Sequence, residues 1–348
     1  MGGAPRRSIA SRPRQTGLED IAAMTTGRRR ALLALAASPL AVPALGQTWP
    51  DRAIRLLVPY APGGNSDVTA RSVAPRMAER LGQPIIVENR AGAGGSVGAL
   101  AMARARPDGF SLLLGSNGPI TVNPAVQQNL GYDPIRDFIP VGLFVRTPLT
   151  FTVHRATPAQ TVQELIALSR ANPGTVTMGS SGIASISHLA LEEFNARTGA
   201  GLTHVPYGSG GAMTPDLVAG NVKGAVTEVS TAQPLHREGV ARILGITAAQ
   251  RLAILPEIPT VAEQGVPEYR AAAFVGVMAP AGTPREIIAV LEAAVGVAIA
   301  DPAVRRRLEE MGSEMASPEE TTSAGFAAFI QRETEWTRNA ATRAGLRR

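Results

Sequence analysis

Cysteine is absent from all 348 residues of the sequence, and lysine occurs only once, as Lys223. Without cysteine the chain can form neither a disulfide framework nor a thiolate site. Arginine is therefore the usual cation, which we attribute to genome composition rather than to function. Since 45% of the residues are apolar, the chain can still supply a hydrophobic core for each of two lobes of ordinary domain size.

Positive charge is concentrated at the N-terminus. The formal net charge is +6, but residues 1–46 contain seven arginines and only two acidic residues. The rest of the chain carries 27 basic and 26 acidic side chains. The basicity therefore belongs to the N-terminal segment, and we expect no nucleic-acid partner.

The N-terminal segment is typical of an export signal. The charged "TTGRRR" precedes the apolar "ALLALAASPLAV", and the small residues "ALG" precede Gln47. The apolar stretch is too short to cross a bilayer, which needs about 20 residues. We therefore predict cleavage near Gly46 and Gln47 and release into the periplasm. Secretion by the general pathway and by the twin-arginine pathway both remain open, and Met24 is an alternative start.

The mature chain alternates short apolar runs with helical patterns, which predicts βαβ units and a largely parallel sheet. Predicted strands cover residues 53–59, 84–88 and 110–115, with helices at 68–81 and 96–104. Pro75 should bend the first helix, because proline removes a hydrogen bond to the preceding turn.

A second region follows residue 150. Thr161 and Glu164 form a capping box that opens a helix, and "NPG" at 172–174 ends it. Strands at 175–179, 202–206, 222–227 and 240–247 and helices at 186–196 and up to 219 complete this region. The chain then returns through 269–280 to helices at 283–300, 302–311 and 318–344, the last with Pro318 at its first position.

The order of elements predicts an α/β protein of two lobes, comprising residues 47–148 plus 272–348 and residues 149–271. The chain would cross between the lobes near 146–150 and 271–277. Neither crossing is rich in Pro, Gly or Ser, so we expect a hinge of stiff crossing strands rather than a flexible linker.

Three glycine-rich joints connect a strand to a helix: "APGGNSD" at 61–67, "GSSGIAS" at 179–185 and "YGSGGAM" at 207–213. A helix N-terminus has unpaired N–H groups and a positive dipole end, so it attracts a carboxylate or phosphate. Glycine permits close approach, and Ser66 or Asp67 can cap remaining donors. Each joint taken alone could serve only to turn the chain. If two lobes face each other, however, such joints can converge on one anionic ligand.

Three other kinds of site have candidate residues in the sequence. Ser180 or Ser181 with His188 or His204 could form a serine hydrolase site, but "GSSG" is not a Gly-x-Ser-x-Gly motif. The four histidines show no metal-ligand spacing and are interpreted as surface or hydrogen-bonded structural residues, so we expect no metal. "ENRAGAGGSVGA" loosely matches a dinucleotide loop. Because export disfavours a nicotinamide cofactor, we interpret its glycines as packing positions and expect no cofactor.

Several ordered segments together resemble one known family. They include "IRLLVPYAPGGNSDVTAR", "LGQPIIVENRAGAGGSVGA", "PDGFSLLLGS", "HVPYGSGGA", "LPEIPTVAEQGVPEY" and "APAGTP". Over residues 49–348 the sequence resembles the Bug family, the extracytoplasmic solute receptors of tripartite tricarboxylate transporters.

The resemblance implies a type II periplasmic-binding-protein fold whose two lobes close on a small organic carboxylate. It implies a non-enzymatic receptor, which we expect to be a monomer, that delivers its ligand to membrane subunits of a transporter or presents its closed form to a membrane sensor. The implied ligand-binding residues are Tyr60, Ala61, Pro62, Gly63, Gly64, Asn65, Ser66, Asp67, Ser116, Asn117, Gly179, Ser180, Ser181, Gly182, Tyr207, Gly208, Ser209, Gly210, Thr227 and Glu228.

The sequence departs from the family pattern at one place. Relatives commonly have Gly-x-Val-Asp followed by an Asp four positions later, whereas here Lys223 replaces the first acid, and the second is either replaced by Thr227 or displaced to Glu228. If Thr227 faces the cleft, the lost carboxylate would disfavour an ammonium group. This predicts an un-aminated organic acid as ligand, although Lys223 itself is best interpreted as a solvated residue at a strand end.

Overall fold

The computed structural model describes residues 49–346. The predicted export signal and its cleavage site therefore lie outside the described residues. The strands are β1 Ile54–Val58, β2 Ile85–Asn89, β3 Ser111–Ser116, β4 Phe138–His154, β5 Thr177–Ser180, β6 Thr203–Pro206, β7 Gly224–Glu228, β8 Ala241–Ile246, β9 Ala272–Pro280 and β10 Glu314–Met315.

The α-helices pack around these strands. They are α1 Asn65–Leu81, α2 Ser96–Ala103, α3 Asn123–Val126, α4 Val162–Ala171, α5 Ile186–Thr198, α6 Gly210–Ala219, α7 Val229–Arg237, α8 Arg285–Ala300, α9 Pro302–Glu310 and α10 Ser323–Arg343. A short 3-10 helix at Ala93–Gly95 precedes α2, and a π-helix at Gly118–Val122 precedes α3.

One mixed sheet runs through the described part of the chain, in the order β2-β1-β3-β9-β4-β7-β5-β6. β1 is parallel to β2 and β3, while β5 is parallel to β6 and β7. The long strands β4 and β9 run antiparallel to each other between these two parallel sets. The α/β class with crossing strands is thus confirmed, and both predicted crossing segments fall where Pro148 of β4 pairs with Ala272 of β9.

A third segment, missed in the sequence, joins the crossing strands. The hydroxyl of buried Thr247 accepts a hydrogen bond from Leu149 N–H at 2.8 Å and lies 2.5 Å from the carbonyl oxygen of Ala271. One side chain therefore ties the end of β8 to both strands at the point where they cross.

Several predicted helix boundaries need correction. α1 begins at Asn65, three residues earlier than predicted, and continues through Pro75 without interruption. The last helix begins at Ser323 rather than at 318, because Ser317 and Glu320 close a separate turn before Thr322 caps the helix. Helix α7 was not predicted at all. By contrast, the Thr161 cap is confirmed, since its hydroxyl accepts from Glu164 N–H at 3.1 Å.

The helix α2 packs closely on β1, as its glycines predicted. A Cβ atom added at Gly98 would lie 2.8 Å from a Leu57 methyl group and 2.9 Å from Pro59 Cβ. Such distances do not occur between real side chains, so only glycine lets this helix approach the strand so closely. The packing interpretation of "GAGGSVG" is confirmed at this position.

The C-terminal helix α10 contacts both halves of the sheet. Phe326 packs in the core beside β3 and β9, whereas Ala340 and Ala341 belong to the core around β4 and α5. Arg343 then forms a double hydrogen bond of 2.8 Å to Glu193, a carboxylate on α5 that is only 3% exposed. This helix therefore links the two parts of the molecule.

Within residues 49–346, no single helix is both long and apolar enough to cross a membrane. The pair α8 and α9, which bends by 68° at residue 301, satisfies length and composition only when taken together. The apolar residues of α8, including Leu291, Val295 and Ile299, are buried in the protein core.

Candidate ligand-binding site

The first group of predicted site residues lies where the parallel strands β1 and β3 end. Because carboxyl ends of parallel strands share one edge of a sheet, Tyr60 after β1 reaches Ser116 at the end of β3. The two hydroxyl oxygens are 2.9 Å apart. Burial raises the pKa of Tyr60 to about 12. This phenol therefore stays neutral, and it interacts through hydrogen bonds rather than as an anion.

The joint between β1 and α1 presents its backbone to solvent. Residues 61–64 are exposed, Gly63 has φ of +84°, and Gly64 is the N-cap of α1 in an extended conformation. Among the described residues no side chain caps this helix, which corrects the expectation that Ser66 or Asp67 does so. The N-terminus of a 17-residue helix therefore opens onto an exposed, glycine-lined surface.

Asp67 stabilises this joint through hydrogen bonds. Its carboxylate accepts hydrogen bonds from Gly63 N–H at 2.9 Å, from Asn89 at 2.9 Å and from Arg71 at 3.0 Å. Although burial alone raises the pKa of Asp67, these three donors outweigh it and lower the pKa below its usual value. Asn89, at the end of β2, was missed in the sequence, although the end of a neighbouring parallel strand is where such a partner belongs.

Two side-chain amides beside this joint differ in how many of their hydrogen-bonding atoms have a partner. Asn117 is fixed on β9, because its amide donates to Ala272 O at 3.1 Å and accepts from Phe274 N–H at 2.8 Å. Asn65 donates to the Thr147 hydroxyl at 3.2 Å, but its own Oδ1 is buried without a partner in the described structure. Asn117 therefore anchors the crossing strand, while Asn65 retains an unused acceptor.

The second group lies at the ends of β5, β6 and β7, which are parallel to one another or to a shared neighbour. Ser180 pairs in register with Pro206, so the 179–182 and 207–210 loops are adjacent. A Cβ atom at Gly182 would lie 2.7 Å from Tyr207 O, and Gly182 has φ of +125°. Glycine is needed here for both reasons.

Most donors of the 179–182 loop are bonded within the protein. Ser181 N–H donates to Ser187 Oγ at 2.9 Å, and Gly182 N–H donates to Ser180 Oγ at 3.1 Å. The following helix α5 begins at Ile186 and is capped by Ser185. The Ser181 hydroxyl oxygen, however, is buried and has no partner among the described residues. This loop therefore contains a buried, unpartnered hydroxyl group and has no free helix end.

Two stacked histidines form hydrogen bonds with the same loop. The rings of His188 and His204 stack with centroids 3.8 Å apart and an angle of 14° between their planes. His204 Nε2 lies 2.6 Å from Ser180 Oγ, and His188 Nδ1 accepts from Ala184 N–H at 3.2 Å. Burial, and then the neighbouring His204, lower the pKa of His188 to about 4. Burial also lowers the pKa of His204.

The histidines were interpreted as surface or hydrogen-bonded structural residues, and this pair belongs to the second kind. Its proximity was missed, because 16 sequence positions separate the two rings. Their ring nitrogens and a Glu192 oxygen lie within 4.8 Å of one another. Nitrogen lone pairs lie in the ring planes, so two nearly parallel rings do not converge on one metal ion. The present ring geometry therefore favours a neutral stacked pair over a metal site.

The same contacts argue against the hydrolase arrangement. The serine beside a histidine is Ser180, which is fully buried, whereas Ser181 has no histidine partner in the described structure. A nucleophile must reach its substrate, and it needs a base within hydrogen-bond distance. Neither serine meets both conditions.

The third joint, at residues 207–210, is also held internally. Tyr207 donates to Asp216 at 2.6 Å, and Ser209 caps α6 by accepting from Ala212 N–H at 3.1 Å. Burial, followed by the bond to Asp216, raises the pKa of Tyr207 to about 12. Gly208 is exposed, and a Cβ atom at Gly210 would lie 3.0 Å from Thr227 Oγ1.

β7 ends beside this joint with Thr227 and Glu228. Thr227 is fully buried, and its hydroxyl donates to Glu228 Oε2 at 3.3 Å. Glu228 is partly exposed and close enough to Tyr60 for its charge to contribute to the raised pKa of that phenol. Burial also raises the pKa of Glu228. Lys223 precedes β7 at the opposite end and is exposed, which confirms its interpretation as a solvated strand-end residue.

A cavity of about 550 Å³ lies next to the second joint rather than between the three joints. Its wall includes Ile183, Ala184 and His188, together with Gln127 and Leu346. It contains none of the twenty predicted ligand-binding residues. The geometry therefore places two features side by side: the strand ends that carry the predicted residues, and a separate cavity behind the 179–185 loop.

Comparisons with known proteins agree with the topology. The family profile described as "Tripartite tricarboxylate transporter family receptor" matches residues 69–342. Protein BugT of Bordetella pertussis (strain Tohama I) is 35% identical over 297 residues, which cover 84% of this chain and 90% of BugT.

Two solved structures are similar to the described fold. Rpa4515 of R. palustris with adipate has a TM-score of 0.80 and 33% identity, and the match covers 85% of this chain and 98% of that chain. MatC (Rpa3494) from Rhodopseudomonas palustris with bound malate has a TM-score of 0.77 and 32% identity, covering 84% and 99%. The resemblance seen in the sequence is thereby confirmed, and the chain belongs to the Bug family of tripartite tricarboxylate transporter receptors.

Proposed function

We propose that this chain is a periplasmic receptor that captures a small organic carboxylate between two lobes and does not transform it. The observation that carries the proposal is the uncapped N-terminus of α1 beside the exposed glycines Gly63 and Gly64. Family membership supports it, since the family consists of solute receptors. Adipate and malate are bound by two similar structures, which favours a carboxylate as the anion.

The proposed chemistry follows from the two joints. Backbone N–H groups at the start of α1 meet one carboxylate, because charge-assisted hydrogen bonds are short and strong. The Ser181 hydroxyl oxygen and Asn65 Oδ1 are unpartnered but buried, so they receive groups of the ligand only after these side chains rearrange. No arginine or lysine is needed at the carboxylate, so release does not require breaking a buried ion pair.

Closure of the two lobes completes the site. We take the lobes to be residues 47–148 plus 272–348 and residues 149–271, moving about the crossing strands tied by Thr247. A ligand that contacts both lobes only when they are closed shifts the equilibrium toward the closed form. Membrane subunits of a tripartite transporter would recognise that form. A membrane sensor is the second candidate partner, and neighbouring genes for transporter subunits would distinguish the two.

A thermal-shift screen tests the proposal. Purified mature protein is mixed with mono-, di- and tricarboxylates and with aromatic acids, and the melting temperature is measured. A ligand at 100 times its Kd should stabilise the protein by about 2.7 kcal/mol. Stabilisation by none of these acids, or turnover of ester and amide substrates that disappears in Ser181→Ala, would contradict the receptor function.

A further inference from the structure

One acidic side chain at the proposed site remains unexplained. Glu228 ends β7 and lies at the N-cap of α7, with its Oε2 atom 3.3 Å from Thr227 Oγ1. A Cβ atom at Gly210, the first residue of α6, would be 3.6 Å from the same oxygen. Its charge reaches Tyr60 in the other half of the sheet. Glu228 therefore lies near residues of two of the predicted loops, the one after β1 and the one at 207–210.

No cation compensates this carboxylate within residues 49–346, where its only side-chain hydrogen-bond partner is Thr227. The residue as a whole is nevertheless partly exposed. An acidic group enclosed by protein without a positive partner is costly, and burial raises its pKa for the same reason. Besides Thr227 and the backbone N–H of Glu228 itself, which favour the charged form, the donors available to this carboxylate are water and the ligand.

The carboxylate also limits which part of a ligand can approach it. A second anionic group of the ligand would be repelled by an ionised Glu228, because like charges at close range disfavour each other. A hydroxyl or an ammonium group would instead donate a hydrogen bond to its free oxygen. The site thus combines one end suited to an anion, at α1, with one end suited to a donor, at β7.

We propose that Glu228 accepts a hydrogen bond from a hydroxyl or ammonium group of the ligand, and so selects hydroxy or amino acids over plain carboxylic acids. This inference rests on the proposed carboxylate-receptor function. It revises the expectation drawn from Thr227, because the carboxylate missing at position 227 is supplied by its neighbour, which Thr227 holds in place.

Matched acids test the inference, since they share a skeleton and differ only at the carbon beside the carboxylate. The series are succinate, malate and aspartate; glutarate, 2-hydroxyglutarate and glutamate; and propionate, lactate and alanine. Calorimetry measures Kd for each acid with the mature protein and with Glu228→Gln. The control is Glu238→Gln, which removes an exposed charge at the other end of α7.

In at least one series the wild-type protein should prefer the donor-bearing acid. Glu228→Gln should weaken that acid about tenfold or more, as expected for loss of a hydrogen bond to a charged group, and Glu238→Gln should leave it unchanged. Selective weakening of the amino acid identifies an ammonium donor, and selective weakening of the hydroxy acid identifies a hydroxyl. Circular dichroism of both variants verifies that the fold is retained.

Two results would overturn the inference while leaving the receptor function intact. One is tightest binding of the plain acid, with Glu228→Gln improving it, since Glu228 would then only repel the ligand's second carboxylate. The other is equal loss of all acids of a series, which indicates a structural role. If no acid in any series or in the wider screen binds, the proposed function fails, and the inference fails with it.

Discussion

The joints after β1 and after β5 have the same order of strand, Gly and Ser residues and helix, yet they satisfy their backbone groups in opposite ways. After β1 the helix has no side-chain cap, and Asp67 holds the loop from behind. After β5 the helix is capped by Ser185, and the loop N–H groups bond to nearby serines. Such a sequence pattern therefore locates a helix start, but it does not determine whether the backbone N–H groups at that start are free.

This difference assigns distinct roles to the two joints. An uncapped helix end provides N–H donors and a favourable dipole for an anion. A capped joint can provide shape and side-chain hydroxyls, here the unpartnered Ser181 Oγ, but few backbone donors. The ligand carboxylate should therefore depend more on the first joint than on the second.

The largest expected effect comes from filling the first joint. Gly64 has φ of −78°, and the nearest atom to an added Cβ is 3.9 Å away. Gly64→Val should thus preserve the fold, while its side chain occupies the approach to the α1 N-terminus. We expect carboxylate affinity to fall about 100-fold or more, a loss of about 2.7 kcal/mol. Calorimetry measures the affinity, and the melting temperature verifies the fold.

The control for that substitution is Gly296→Val on α8, where an added Cβ also has no neighbour within 4 Å. It should change neither affinity nor fold. Unchanged affinity in Gly64→Val would remove the first joint from the site and leave the second as the place where the carboxylate binds, which would reverse the comparison.

Sequence patterns predicted these joints well because both depend on local signals. Hydrophobic periodicity located β1, α1, β5 and α5 to within a few residues, and the glycines marked the turns between them. Helix α7 was missed, since Pro234 lies inside it and proline is a signal against a helix interior. The predicted start of the last helix was too early, because Ser317 and Glu320 form a capping pair that closes only a turn.

What the sequence could not provide was contact between distant residues. His188 lies on α5 and His204 on β6, and only the packing of helix on strand stacks their rings. Likewise, nothing local indicates that Thr247 bonds to both Leu149 and Ala271. The unfilled hydrogen-bonding atoms of the site, at Asn65 and Ser181, emerge only when all neighbouring partners are known.

The second expected effect concerns the stacked pair of His188 and His204, which lies beside the second joint. His188 has a pKa of about 4, against an ordinary value of 6.5. Between these values the unfolded chain binds more protons than the folded chain, so the free energy of unfolding falls as pH decreases from about 6.5 to 4. Glu192 faces His188 and has a pKa raised by burial, which offsets part of this loss.

Comparison with His188→Gln isolates the contribution of the histidine. Glutamine is polar and similar in size but does not titrate, so the variant should show a weaker pH dependence over this range. His236→Gln on α7, outside the stacked pair, should follow the wild-type profile. Urea unfolding at a series of pH values measures these differences, and identical profiles for all three proteins would show that the pair is not kept neutral by the fold.

The smallest expected effect compares the two helix starts directly. The Ser185 hydroxyl accepts from His188 N–H at 3.1 Å and caps α5, so Ser185→Ala should lower the free energy of unfolding by about 1 kcal/mol. Ser66 occupies the first turn of α1, which no side chain caps, and Ser66→Ala should change stability by less than about 0.5 kcal/mol. Urea unfolding without ligand measures both variants. Equal losses would mean that Ser66 does cap α1, and the first helix end would then have fewer free donors to offer a carboxylate.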